Sequence, residues 1–279
     1  HKNSALLNSE FKKYFTPTKA KYTTYVMEGE PDKLDGLRKL LDTHHIPYSS
    51  PKTKTSIKGW DYVKQKNTTH TFDTGALVLD GNGKKSRLIQ ALFEPNAKLS
   101  DSVTYDITSW SLPYAYGLKA MASQQSFKNT VPFKEDTNKT NTSSKAYAYA
   151  AAWRSFEDGK FLAALLKEKI RVRYNLKPIQ NGGQRWAEGS VFILKGENKK
   201  IENFDATLRR IANETKQQIT ALASGFSDRG LDLGSNQMKF IAPKRVGLIK
   251  SESARAQGYG EVWHFFEQQL NYPITQIQM

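Results

Sequence analysis

The segment from Val246 onward constrains the fold more than any other stretch of the chain. Val246 to Ile249 reads as a short apolar strand, Gly258 to Leu270 as a helix and Ile274 to Ile277 as a second strand. A strand returned by a crossover helix lies parallel to its predecessor, and parallel strands bury both faces only when further strands and covering helices follow. The expectation is that 244–279 opens a domain that continues, so the chain reads as a piece of a longer protein. It begins at His1, with neither an initiator Met nor a charged-then-apolar leader, which agrees with that reading.

At 279 residues, 38% of them hydrophobic, the chain can build about two cores and is globular rather than disordered. No apolar run approaches the roughly 20 residues of a bilayer span, so no membrane span is expected. Having no cysteine, the chain is without disulfides, thiolate nucleophiles and Cys-ligated zinc. A net charge of +15 would favour acidic partners if it clustered. Lys12, Lys13, Lys52, Lys54, Lys84, Lys85, Lys199 and Lys200 are instead spread through polar turns, and Lys rather than Arg dominates. The charge is read as solvated surface, and nucleic acid is not expected as a partner.

Residues 1–127 read as a small α+β domain. Tyr22 to Met27 is β-rich, Leu34, Leu37, Leu40 and Leu41 share a helical face, and strands are expected at Ile46 to Tyr48, Trp60 to Val63, Thr69 to Phe72 and Ala76 to Leu79. A helix follows over Lys84 to Phe93, and the domain closes near Leu118. Residues 128–145, centred on Glu135 to Ser144, offer almost nothing to bury and are expected to be a polar linker. Over 146–243, strands at Ala146 to Trp153, Val172 to Leu176, Ser190 to Leu194 and Ile219 to Leu222 alternate with helices at Phe161 to Ile170 and Phe204 to Thr215. That alternation predicts a mostly parallel α/β layered sheet. Residues 244–279 are the flavodoxin- or amidotransferase-like β-α-β opening, either separate from 146–243 or continuous with it. No internal repeat is evident between the two units.

Three long segments carry a resemblance. Phe93 to Gly117 (FEPNAKLSDSVTYDITSWSLPYAYG), Ser224 to Ser235 (SGFSDRGLDLGS) and Tyr259 to Pro273 (YGEVWHFFEQQLNYP) are similar, in order and spacing, to the region after the catalytic domain of large bacterial M14 zinc carboxypeptidases of the Bacteroidetes type. The resemblance implies an exported parent enzyme, periplasmic or at the cell surface, whose N-terminal domain binds zinc and whose last domain is similar to class I glutamine amidotransferases. This chain would be the noncatalytic accessory region, with no cofactor of its own. Its partner would be the peptidase domain of the same polypeptide, and the peptide substrate would be the parent's.

The residues themselves suggest few sites. His264 and Glu267 match the short His-x-x-Glu pair of an M14 zinc site, but no histidine follows them to complete it. Packing beside Val262, Phe265, Phe266 and Leu270 is the better reading, so no metal ligand and no catalytic residue is assigned. The loop holding Ser251, Glu252, Gly258, Tyr259 and Gly260 follows a strand and precedes a helix, the place where open α/β sheets bind ligands. Its glycines would free N–H groups for an anion. Trp110, Tyr114 and Tyr116 form the densest aromatic cluster, a candidate stacking platform for a sugar. These eight residues are the candidate ligand-binding set, and a carbohydrate- or anion-binding module is the alternative to the accessory-region reading.

Overall fold

The computed structural model describes residues 3–16, 20–96, 111–134, 143, 145–251 and 255–279. They belong to two compact units, His1–Asp136 and Thr137–Met279. Both mix helices with sheet, as an α+β chain should.

In the first unit α1 (Ser4–Phe15) precedes β1 (Thr24–Glu28), α2 (Pro31–Thr43), β2 (Ser49–Pro51), β3 (Thr55–Asp61), β4 (Lys66–Phe72) and β5 (Leu77–Asp80). Then come α3 (Ser86–Phe93), α4 (Leu112–Ala115), β6 (Lys119–Ser123) and β7 (Thr130–Pro132). The strands join in the order β4-β3-β6-β1-β5-β2-β7, every neighbouring pair antiparallel. At its centre is a split β-α-β, in which β1 and β2 run parallel on either side of β5 and are joined by α2. The two-residue period of β1 sends Tyr25 and Met27 into one core with Leu34, Leu37, Ile89 and Phe93 of the helices. Val26 faces the other way and packs with Val78, Met121 and two side chains of the β3–β4 hairpin, Ile57 and Phe72.

The hairpin therefore leans over the sheet face opposite the helices. His70 Nε2 of β4 lies 3.1 Å from Glu28 Oε1 at the end of β1, although β3 and β6 stand between those strands. Gly59 permits this, because β3 runs so close to β6 that a Cβ there would stand 2.3 Å from the Ala122 carbonyl oxygen. The unit also runs on past Leu118. Both β6 and β7 belong to its sheet, and β7 takes residues 130–132 out of the expected linker because it pairs with β2. Residues 135–142 and 144 of that linker lie outside the described residues.

The second unit holds β8 (Ala148–Ala151), α5 (Phe156–Lys167), β9 (Arg173–Asn175), β10 (Ile179–Asn181), β11 (Gln184–Trp186) and β12 (Val191–Leu194). A 3-10 turn over Lys195–Asn198, α6 (Phe204–Glu214), β13 (Thr220–Leu222) and β14 (Met238–Phe240) follow. Helix α5 starts earlier than the apolar spacing predicts, because Ser155 and Asp158 form a capping box ahead of Phe161.

Its sheet, β13-β8-β12-β9-β14, is antiparallel throughout, which overturns the mostly parallel expectation. Helix α5 does return β9 parallel to β8, as alternation dictates. The β10–β11 hairpin and the turn after it then reverse the chain, and β12 enters between β8 and β9, antiparallel to both. The buried Asn175 side chain holds that turn, donating to the carbonyls of Lys177 (2.8 Å) and Ala187 (2.9 Å), while Gly189 takes φ +80°. Alternation of strand and helix says on which side a helix lies, not which strand fills the gap.

The two units repeat one arrangement. Each runs strand, helix, strand, inserted hairpin, strand, helix, strand, and each adds an antiparallel strand beside its second strand. In the second unit the hairpin residues Ile179 and Trp186 pack on Ala148, Ala150 and Phe192, while Tyr149 and Ile193 face Phe161, Leu165, Leu208 and Ile211 of the helices. The repeat resides in strand order and not in residue identity, so the sequence reading found none. After it come β15 (Val246–Lys250), α7 (Ala256–Trp263), a π-helical turn over His264–Gln269 and β16 (Ile274–Gln278). The last two strands pair in parallel, Val246 opposite Ile274 and Lys250 opposite Gln278, so this segment is a β-α-β.

Candidate functional site

At the end of β15, Ser251 leads toward α7, and Glu252 lies outside the described residues. The helix begins at Ala256, two residues before its expected start, with Arg255 as N-cap. Gly258 and Gly260 lie inside that helix, as the span from Gly258 to Leu270 has them, and not in the ligand-binding loop before it, and a Cβ at either meets nothing within 4 Å. Neither glycine makes room for a close ligand approach. Gly260→Ala is expected to stabilise the chain by about 0.5–1 kcal/mol through helix propensity, read as a higher unfolding midpoint. A loss of stability would mean that the position needs its glycine. Tyr259 Oη pairs with Gln276 Oε1 at 2.7 Å, which ties α7 to β16.

His264 is exposed at the start of the π-helical turn. The Trp263 indole N–H donates to Glu267 Oε2 at 2.6 Å, so that carboxylate is already engaged. No three His, Cys, Asp or Glu side chains converge on a metal position among the described residues.

Of the aromatic cluster, Trp110 lies outside the described residues. Tyr116 joins the core around α2 and donates a long 3.4 Å hydrogen bond to the Gly36 carbonyl, where a Cβ would press its ring at 3.2 Å. The Tyr114 ring centroid lies 5.1 Å from that of Tyr62. The cluster that forms is thus not the expected one: it runs inward through Tyr62, Tyr25 and Tyr22, and Tyr62 Oη donates to the Phe93 carbonyl. The alternation of Thr24-Tyr25-Val26-Met27 was the available signal for Tyr25. Tyr62 carried none, because the strand expected at Trp60 to Val63 ends at Asp61 and Tyr62 stands in the turn after it.

Burial, reinforced by Glu94, pushes the Tyr25 phenol above its ordinary value of 10.0, and burial does the same to Tyr62. These groups stay neutral at physiological pH, so they can donate hydrogen bonds but cannot act as bases. The folded chain keeps protons that the unfolded chain releases. Stability from these phenols is therefore whole below a pH of about 10 and is lost as pH rises above it. The Tyr25 hydroxyl is buried with no hydrogen-bond partner among the described residues. Tyr25→Phe is expected to keep stability or raise it by about 1 kcal/mol at neutral pH, and to flatten the alkaline loss. Unfolding midpoints measured against pH decide this, and an unchanged alkaline slope would sink the assignment.

A network the sequence reading missed joins residues far apart in the chain. Tyr149 Oη donates to Asp205 Oδ1 at 2.7 Å, and Lys195 Nζ to Asp205 Oδ2 at 2.6 Å. Burial and the Asp205 hydrogen bond push Tyr149 up to about 12. Burial acts to raise Asp205, but Lys195 and Tyr149 outweigh it and leave the carboxyl below its ordinary value. Both carboxylate oxygens are engaged, so the group fastens β8 to α6 and offers no free base. The segment from Ser224 to Ser235 is equally tied down. Asn181 Nδ2 donates to the Ser224 and Phe226 carbonyls, Asp228 accepts from the Gly183 amide and Asp232 from the Ser227 amide. These carboxylates shape a loop. His44 caps the C-terminal end of α2, and His45 follows it at φ +52°.

The geometry defines an α+β chain of two split β-α-β units followed by a parallel β-α-β. Among the described residues, the Tyr149, Lys195 and Asp205 side chains and the Asn181, Asp228 and Asp232 side chains fasten elements to one another. Comparison with protein-family models, with curated proteins and with solved structures finds no match to this chain.

Proposed function

We propose that this chain is the noncatalytic accessory region of an exported M14-like zinc carboxypeptidase, scaffolding its peptidase domain or limiting access to it. The observation that carries the reading is the parallel pairing of β15 and β16 around a crossover helix, directly after two antiparallel units. A parallel β-α-β at this place supports an accessory region that runs into an amidotransferase-like domain, although the unit before it is antiparallel and not the parallel sheet expected there. The Ser224 to Ser235 and Tyr259 to Pro273 segments that carry the resemblance also fold as a clamped loop and a crossover, which suits a scaffolding role. The parent would hold zinc in its peptidase domain, hydrolyse C-terminal residues from peptides, and reside in the periplasm or at the cell surface. The alternative, a carbohydrate- or anion-binding module, draws less support from Gly258 and Gly260, which lie within a helix, and from Tyr116, which is packed on α2, while Glu252 and Trp110 lie outside the described residues.

Antibodies against this chain are expected to detect, in the cells that make it, a far longer polypeptide in the exported fraction that carries zinc and has carboxypeptidase activity. The chain alone is expected to release no C-terminal residues from peptides when zinc is supplied. A cytosolic polypeptide without that activity, or hydrolysis by the 279-residue chain itself, overturns the reading.

A further inference from the structure

Helix α1 carries an apolar stripe that the first unit does not cover. Leu7, Phe11, Tyr14 and Phe15 recur at helical spacing on one face, yet they are between 44% and 67% exposed, and no residue of the helix is buried. Cations border the stripe. Phe11, Lys12, Phe15, Thr16 and Lys84 line one groove, and the Arg87 guanidinium stands 5.7 Å from the Tyr14 ring centroid. The helix has a single acid, Glu10, which pairs with Lys13 at 3.5 Å.

We infer that α1 is a docking surface for an anionic phospholipid bilayer, lying flat with Leu7, Phe11 and Phe15 at the acyl boundary and Lys12 and Lys84 against lipid phosphates. Twelve residues make a helix about 18 Å long, which suits the interface and not a span. Charge complementarity selects this occupant. Two copies meeting stripe to stripe would bring Lys12, Lys84 and Arg87 of each against those of the other, whereas a phosphate-bearing surface neutralises them. Phe, Tyr and Leu beside lysine stems are also the side chains that settle at a headgroup layer.

The test is co-sedimentation of the full chain with vesicles of phosphatidylcholine alone and of phosphatidylcholine with phosphatidylglycerol, at low and high salt. Binding is expected only with phosphatidylglycerol and is expected to weaken with salt. The double variant Leu7→Glu/Phe11→Glu should bind about tenfold or more weakly, and Lys12→Glu/Lys84→Glu should lose the salt-dependent part. Both variants should keep the parent's circular dichroism and unfolding midpoint, because none of these side chains is buried. Absence of binding at low salt overturns the inference. So does binding that ignores Leu7→Glu/Phe11→Glu, which would mark general adsorption of a basic protein. A concentration-dependent dimer abolished by that same variant would assign the stripe to a second copy and overturn it equally.

Discussion

Gly59→Ala is expected to destabilise the first unit by about 3 kcal/mol or more. The new methyl would stand 2.3 Å from the Ala122 carbonyl oxygen, 2.9 Å from its carbon and 3.0 Å from the Ser123 Cα, all of them backbone atoms of β6. No rotamer change can relieve such a contact, so β3 or β6 must move. Moving them strains the Trp60–Ala122 and Asp61–Met121 pairs, the Tyr62 amide bond to Ala120 and the Ser123 hydroxyl bond to Lys58. Lowering the entropy of the unfolded chain returns at most about 1 kcal/mol, which cannot offset this. Gly75→Ala is the control, since a Cβ there meets nothing within 4 Å, and its midpoint should stay within about 1 kcal/mol of the parent. Denaturant unfolding of both variants decides the matter. A parent-like midpoint for Gly59→Ala would mean that β3 does not pass this close to β6.

Phe72→Ala and Trp186→Ala are each expected to cost about 3–5 kcal/mol. These side chains belong to the two inserted hairpins and stand at equivalent places in the repeated arrangement. Phe72 is fully buried with Val26, Val78 and Met121, and Trp186 is buried with its ring centroid 6.0 Å from that of Phe192. Truncating either leaves a cavity under a hairpin, with only Ile57 or Ile179 of that hairpin left on the apolar sheet face. Amide exchange should quicken around Val26 and Met121 in the first variant and around Ala150 and Phe192 in the second. Costs below about 1 kcal/mol for both would mean that the hairpins are surface ornaments and not the second layer of each unit.

The candidate site was legible only in part. Tyr116 was found by local aromatic density, but its partner Gly36 lies eighty residues away and nothing near either predicts the contact. Gly258 and Gly260 fit both the start of a helix and the loop before it, and the structure decides for the helix, which begins at Ala256. The Tyr149, Lys195 and Asp205 network left no local trace, since its members come from β8, a 3-10 turn and α6.

What the sequence determined by itself was the local pattern. The two-residue period put Tyr25 and Met27 on one face of β1, the apolar spacing of Leu34, Leu37 and Leu41 made a helix with one buried side, and the last β-α-β was readable from its apolar runs. Only the tertiary structure decided which strands are neighbours. A strand has the same period whatever pairs with it, and backbone hydrogen bonds between distant segments carry no residue signature. Strand and helix alternation was therefore compatible with a parallel sheet, and the insertion of β12 between β8 and β9 made it antiparallel. The same holds for the repeat, because two unrelated sets of side chains can fill one strand order as long as each buries both faces of its sheet.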